Sequence, residues 1–339
     1  MKKLLVLLLA LALVLSFAAC GATDEEPAEE NTEETAEETA EETAEESNVG
    51  LAILYEADDD MINNYSLLAV NPDAAWVDAD GNAVSDVTIN TAGADAFINW
   101  MLSEGAEMAG NYGVEEYGEN LFYLKDERPT SEAEIPAATD DTKIIRLSTT
   151  PSVNDSGLLQ YLLPAFESEY GYTVEITSAG TGKAIANAKM GNADVILVHS
   201  KKQEEAFIAD GFARIIDGQA AERLNYMYNY FVLCGPADDP AGVKDAASVK
   251  DAFAAIAEGK YPFVSRGDGS GTHTKEISLW PEELGITDQQ ESIANYTDWY
   301  NFSNAGMGAC LTMANEIGGY ILSDKATFLT FVANNGVME

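Results

Sequence analysis

From Lys143 onward the chain alternates short apolar runs with amphipathic ones, and no other feature constrains its fold as strongly. Residues 144–147 read as a strand, and 158–170 as a helix opened by Asp155-Ser156-Gly157. Strand 172–177, helix 181–190, strand 193–198 and helix 201–211 follow. Residues 228–233 read as a further strand and 244–258 as a helix. A strand at 261–264 leads to a helix at 274–280; a helix opened at Gly306 and a strand at 320–322 close the series. Strands alternating with helices predict an α/β fold, a parallel sheet covered on both faces. The first part of the chain differs. Residues 51–55 and 66–70 read as strands, and 92–112 as a long helix with Trp100 and Met101 on its buried side. Residues 130–141 are polar and read as a linker. Strands at both ends of the chain have no evident sequential partner.

The N-terminus points to the compartment. Lys2 and Lys3 precede an apolar stretch at 4–17, and Ala18-Ala19 precede Cys20. This pattern reads as a secretory signal. Small residues before Cys20 resemble a bacterial lipobox, so Cys20 is expected to carry lipid. The mature chain would then be held at the extracytoplasmic face of the cell membrane. Residues 21–48 form an acidic tether with thirteen Asp and Glu between Asp24 and Glu46. Such a segment cannot bury enough apolar surface to fold. Over the whole chain 58 acids face 18 bases, a formal net charge of −40. That excludes a general nucleic-acid binder. It also requires any anion site to be local and shielded. Besides Cys20 only Cys234 and Cys310 occur, in apolar or small-residue surroundings, and the histidines are His199 and His273. No metal site held by side chains is expected, and the two cysteines read as buried free thiols.

Three hydroxyl-rich turns lie where a strand passes into a helix. The most informative is Ser265-Arg266-Gly267-Asp268-Gly269-Ser270-Gly271-Thr272-His273. Ser148-Thr149-Thr150-Pro151-Ser152 follows strand 144–147, and Gly180-Thr181-Gly182-Lys183 follows strand 172–177. Backbone N–H groups at such turns attract anions. Serine and threonine hydroxyls add neutral donors, and Arg266 adds a planar cationic fork. Each turn alone is also compatible with a plain helix cap. In open α/β sheets ligands bind at the carboxyl ends of strands, where all three turns lie. A phosphate-binding P-loop does not fit. Its first glycine would fall on Thr177, and Ala184 stands where Ser or Thr is required. A nucleophilic pair of Ser270 with His273 lacks a visible acid partner.

Residues 148–163, 179–184, 193–199, 229–240 and 265–273 resemble, in order, the substrate-binding protein of bacterial tungstate ABC transporters. The resemblance runs from Ile145 to Phe331. It implies a two-lobe type II periplasmic-binding-protein fold with an oxyanion in the cleft. The implied ligand residues are Thr149, Thr150, Ser152, Thr181, Ser265, Arg266, Ser270, Gly271 and Thr272. Phosphate-binding proteins share a Gly-Ser-Gly-Thr turn after an Arg, so phosphate is the alternative ligand. Pro151 departs from the Thr usual in the tungstate family. Residues 51–123 resemble that family's C-terminal part, yet here they come first. A circular permutation is therefore expected, with 49–64 and 232–339 forming lobe two. Residues 65–128 and 143–231 would form lobe one, and 129–142 would join the family's original termini. The rival is an unrelated small domain over 50–128.

Under this reading the protein is no enzyme, needs no cofactor, and works as a monomer. It captures tungstate or molybdate and delivers it to an ABC transporter permease. A fully ionised tetrahedral oxyanion carries no proton and is matched by donors alone. Asp268 is the awkward residue: it could accept the proton of hydrogen phosphate, or bond its own turn. A serine hydrolase and a purely adhesive surface lipoprotein are the readings from other classes.

Overall fold

Residues 49–78 and 80–335 are described by the computed structural model. The signal segment, Cys20 and the acidic tether lie outside the described residues. The chain opens with β1 (Leu51–Tyr55) and β2 (Ile62–Val70), then α1 (Thr91–Met101), α2 (Glu104–Ala109), α3 (Val114–Tyr117) and β3 (Tyr123–Leu124). After an irregular stretch come β4 (Ile144–Thr149), α4 (Pro151–Asn154), α5 (Leu158–Tyr170), β5 (Thr173–Ser178), α6 (Thr181–Lys189), β6 (Val195–Val198) and α7 (Lys201–Ala209). The rest is β7 (Ala213–Arg214), β8 (Leu224–Pro236), α8 (Val249–Gly259), β9 (Phe263–Ser265), α9 (Gly271–Ile277), β10 (Tyr300–Phe302), α10 (Met307–Ile317), β11 (Ile321–Asp324) and α11 (Lys325–Asn335).

One long strand organises the sheets. β8 is 13 residues long and serves two groups of strands in turn. Its first half, to Tyr230, pairs antiparallel with β2. Its second half carries β1 on one edge and β11 on the other, both antiparallel. On the first side the order continues β8-β2-β6-β4-β5, with β4 parallel to both β5 and β6. On the second side Phe263 of β9 bridges Tyr320 beside β11, and β10 runs parallel to β9.

Alternation along the strands builds a core on each face of each group. In β2, Leu67 and Ala69 face α1, α2 and α5, together with Phe97, Trp100 and Phe166. Leu68 and Val70 face the other way, toward Ile185 and Phe207 of α6 and α7. In β8, Phe231 and Leu233 join Phe253, Phe263 and Trp280, while Val232 and Cys234 join Leu311 and Phe328. Trp280 meets Phe253 and Phe263 edge-on, with ring centroids 4.6 and 4.8 Å away. Cys234 and Cys310 are buried free thiols.

The structure departs from several sequence expectations for local reasons. The helix expected over 92–112 breaks at Ser103, whose hydroxyl bonds back to the Asn99 carbonyl at 2.8 Å. The chain then turns close against Trp100, where a Cβ on Gly105 would lie 2.7 Å from the indole. The helix expected over 244–258 starts only at Val249, because Ser248 caps it by accepting from the Asp251 N–H at 3.1 Å. α5 begins as expected, but without the expected side-chain cap: Gly157 enters with φ 84°. Helix 274–280 starts three residues earlier, at Gly271, on the Ser270 cap. α11 was not anticipated. Among the described residues no helix is long and apolar enough to cross a membrane.

Candidate functional site

The three hydroxyl-rich turns meet between the two strand groups. β4 runs two residues further than expected, which places Ser148 and Thr149 inside the sheet. Ser148 Oγ donates to the Ala184 carbonyl at 3.0 Å, and Thr149 Oγ1 to the Leu197 carbonyl at 2.7 Å. The Thr149 hydroxyl proton is therefore held by the scaffold, a correction to its expected role as a free donor. Pro151 stands at the first position of α4, where a backbone N–H has no intrahelical acceptor to lose. Thr150 Oγ1 and Ser152 Oγ lie 3.0 Å apart and are both buried. Thr181 opens α6, and its buried Oγ1 has no partner among the described residues. A buried hydroxyl without a partner is costly, which marks it as a donor awaiting one.

The third turn is built around a buried guanidinium. Arg266 is 5% exposed. Its Nε donates to the Ala305 carbonyl at 2.9 Å, and one Nη donates to Asp268 Oδ2 at 2.5 Å. The other carboxylate oxygen of Asp268 accepts from the Ser270 N–H at 3.1 Å. Ser270 Oγ accepts from the His273 N–H at 3.2 Å, which leaves its own proton uncommitted. Gly271 and the buried Thr272 form the first turn of α9. Ser265 corrects a second expectation. Its hydroxyl donates to Glu276 Oε2 at 2.6 Å and accepts from the Gly267 N–H at 3.2 Å. It anchors the turn within its own lobe.

Two close approaches bring the turns together. A Cβ on Gly180 would lie 3.2 Å from Ser270 Cβ, and one on Gly271 would lie 2.4 Å from His199 Cε1. Glycine at position 180 thus lets the second and third turns approach, and glycine at 271 lets the third turn lie against His199, just after β6. Thr150, Ser152, Thr181, Arg266, Ser270, Gly271 and Thr272 consequently surround one region.

His199, Asn63 and Asn229 escaped the sequence reading. His199 Nε2 faces Ser152 Oγ at 3.3 Å, and its Nδ1 meets Asn63 Oδ1 at 2.8 Å. Asn63 Nδ2 donates to Tyr65 Oη and to Asn229 Oδ1, at 2.9 and 3.0 Å. With Nδ2 donating, Asn63 Oδ1 can only accept. The network therefore assigns the proton to His199 Nδ1 and leaves Nε2 an acceptor. Asn63 and Asn229 are cross-strand partners on β2 and β8, the strands that join the two strand groups. The legible sign was a pair of Asn in each of two strands, Asn63 and Asn64 in β2 and Asn225 and Asn229 in β8.

Ser152, His199 and Asn63 are aligned like a nucleophile, base and orienting amide. Burial, and then the charge of Arg266, push the His199 pKa down to about 3. An imidazole that weak is a poor general base at neutral pH.

Glu276 lies beneath the third turn, fully buried. It accepts from Ser265, from Trp280 Nε1 at 2.8 Å and from Tyr300 Oη at 2.6 Å. Burial nonetheless raises its pKa to about 7, against the lowering effect of these donors. Burial likewise raises Asp324 to about 6.

Residues 134–338 match the PBP superfamily domain, and the chain belongs to that superfamily. It is 44% identical over 195 residues to the tungstate-binding protein TupA of Peptoclostridium acidaminophilum, covering 57% of this chain and 63% of that one. It is 36% identical to the tungstate-binding protein TupA of Campylobacter jejuni, over 54% of this chain and 62% of that one. The chain thus spans less than two thirds of the length of these relatives. A crystal structure described as the tungstate ABC transporter from Geobacter sulfurreducens is 39% identical, with a TM-score of 0.48, over 57% of this chain and 77% of that one.

The raised carboxyl values set a pH dependence. The folded state holds protons on Glu276 and Asp324 that the unfolded chain releases near its ordinary carboxylate values. Between about pH 4.5 and 7 stability therefore falls as pH rises. The midpoint of thermal unfolding is expected to be higher at pH 5 than at pH 8. Glu276→Gln is expected to flatten the decline, since its carboxamide oxygen still accepts from Tyr300 and Trp280. A midpoint constant over this range, or a slope identical in the variant, would refute the assignment.

Proposed function

We propose that this protein captures a tetrahedral oxyanion, tungstate or the closely similar molybdate, and hands it to an ABC transporter permease. It acts outside the cytoplasm as a monomer anchored through lipid on Cys20, and performs no chemistry. The observation that carries the reading is Arg266, a buried positive charge where hydroxyl-bearing turns of two lobes converge. Thr150, Thr181, Ser270 and Thr272 supply neutral donors around it, and the α6 N-terminus adds backbone N–H groups. A dianion without a proton asks for donors of this kind. The relatives are named for tungstate, which narrows the oxyanion class.

Asp268 bears on the choice between tungstate and phosphate. Its two oxygens bond Ser270 N–H and Arg266, which favours its role as a turn residue over that of acceptor for a phosphate proton. Ser265 and Thr149 contribute by holding the turns in place. Closure of the lobes would desolvate the anion and create the form that a permease recognises.

We also read the chain as circularly permuted. β1 completes the second strand group beside β8, although it begins the described chain. β2 then returns to the first group between β6 and β8. Irregular residues 129–142 would join the former termini. They are pinned to lobe one by Ala138 N–H to the Tyr170 carbonyl at 2.7 Å, and by Tyr172 Oη to the Pro136 carbonyl at 3.1 Å.

Calorimetric titration of the protein lacking residues 1–47 is expected to give tight binding of tungstate and molybdate, with phosphate silent. Arg266→Gln and Gly271→Val are each expected to weaken tungstate about 100-fold, or about 2.7 kcal/mol. The first removes the charge, and the second sets a side chain against His199. Phosphate binding most tightly would replace tungstate as the ligand; heat with no oxyanion at all would end the reading. For the permutation, proteolytic cleavage within 129–142 is expected to leave two fragments that co-elute and still bind. Fragments that separate, with 50–128 folded alone, would sink it.

A further inference from the structure

A cavity of about 480 Å³ adjoins the site and shares His199 and Gly271 with it. Its wall holds Lys125, Lys201, Lys202, Arg223 and Lys275, and no Asp or Glu. In a chain with 58 acids and only 18 bases this is a local cluster of positive charge, although Lys125 and Lys275 also line a neighbouring cavity with Asp59, Asp126 and Glu127. Two of the five bases are matched: Arg223 Nε meets the buried Glu204 carboxylate at 2.6 Å, and Lys201 lies 3.7 Å from Glu205. Among the described residues the other three have no carboxylate at ion-pair distance, although the charges of Asp60 and Asp58 act on Lys275. Lys125 Nζ donates to Asn64 Oδ1 at 2.9 Å, and Lys275 Nζ to the Asp60 carbonyl at 2.8 Å. The Asp60 carboxylate itself pairs with Lys250 at 3.0 Å. Lys202 is exposed and makes no ion pair among the described residues. The three come from separate parts of the chain and line one space.

We infer that this cavity is an outer anion site, in which Lys125, Lys202 and Lys275 attract a small oxyanion before it passes His199 and Gly271 to the inner site. The inference rests on the oxyanion reading above. An acidic chain repels dianions, and at physiological ionic strength charges act over only about 8 Å. A local cluster can still win within that range. Clefts lined by one sign of charge focus the field and raise association rates by roughly 10- to 1000-fold. The residue type fits the task. Lysine ammonium groups are mobile, well-hydrated point charges that bind an anion loosely and let it go. The fixed fork of Arg266 suits retention instead. Burial lowers the pKa of Lys275, and an approaching anion would offset part of that cost. The cavity is also far larger than a tetrahedral oxyanion needs, which suits passage better than tight enclosure.

The test is rapid-mixing kinetics of tungstate binding at about 10 mM and about 150 mM sodium chloride. Wild type is compared with the combined variant Lys125→Gln, Lys202→Gln, Lys275→Gln. At low salt the variant is expected to associate roughly tenfold more slowly. Its dissociation rate should stay within about twofold, and its association rate should lose most of its salt dependence. Should the combined variant not fold, Lys202→Gln alone, at an exposed position, is expected to slow association about twofold. Equal association rates would overturn the outer site. So would an unchanged association rate with faster release, which would make these lysines part of the inner site. If wild type binds tungstate and association is unaffected, only this inference fails. If wild type binds no oxyanion, the oxyanion reading fails and takes the outer site with it.

Discussion

A guanidinium held almost out of water is the constraint around which the lobe-two turn is arranged. Burying a charge is expensive unless its hydrogen bonds are met and a counter-charge is close. Arg266 meets both terms locally, through the Ala305 carbonyl and the Asp268 carboxylate. Asp268 in turn fixes the Ser270 N–H, and Ser270 caps α9. Glu276 at the end of the same helix holds Ser265 from below. The charge, the turn and the helix are therefore set by one connected group of bonds. The dianion proposed as ligand would add a second counter-charge to a guanidinium already oriented, so little side-chain ordering would remain to oppose binding.

The opposite wall is neutral for an equally physical reason. His199 could carry charge, but burial and the proximity of Arg266 keep it unprotonated. A cation there would repel Arg266, and an anion would repel the ligand. A neutral imidazole instead links Ser152 to Asn63, and through it to Asn229 on the neighbouring strand. One side of the site is thereby tied to β2 and β8, the strands that join the two strand groups. Binding and lobe geometry share this polar network, and its members leave little freedom to slide past one another.

Much of this was legible in the chain itself. Apolar runs such as Val195–Val198 and amphipathic runs such as Leu158–Tyr170 are local signals, and they appear where periodicity puts them. The hydroxyl-rich turns also announced themselves, because capping residues and glycines cluster at strand-to-helix junctions. What stayed hidden depends on distance in sequence. That Thr149 donates to Leu197 and Ser265 to Glu276 cannot be read from either motif, so both looked like free donors. Asn63 and Asn229 are 166 residues apart and become partners only through the register of β2 on β8. The break at Ser103 needed the position of Trp100 against Gly105, a packing fact that no helix pattern contains.

The distribution of charge reconciles an acidic chain with the anionic ligand proposed for it. Bulk charge acts at long range and is screened; the site acts at contact and is not. Between these two distances a ligand needs an intermediate attraction, or it meets only the repulsive field. Lys125, Lys202 and Lys275 occupy that intermediate range. They line a cavity that His199 and Gly271, in close approach, also line. Strong cationic charge throughout would hold the anion at the entrance, and a neutral entrance would not gather it. Loose ammonium groups outside and one fixed guanidinium inside form a gradient from capture to retention. That gradient requires no excess of positive charge anywhere else in the chain.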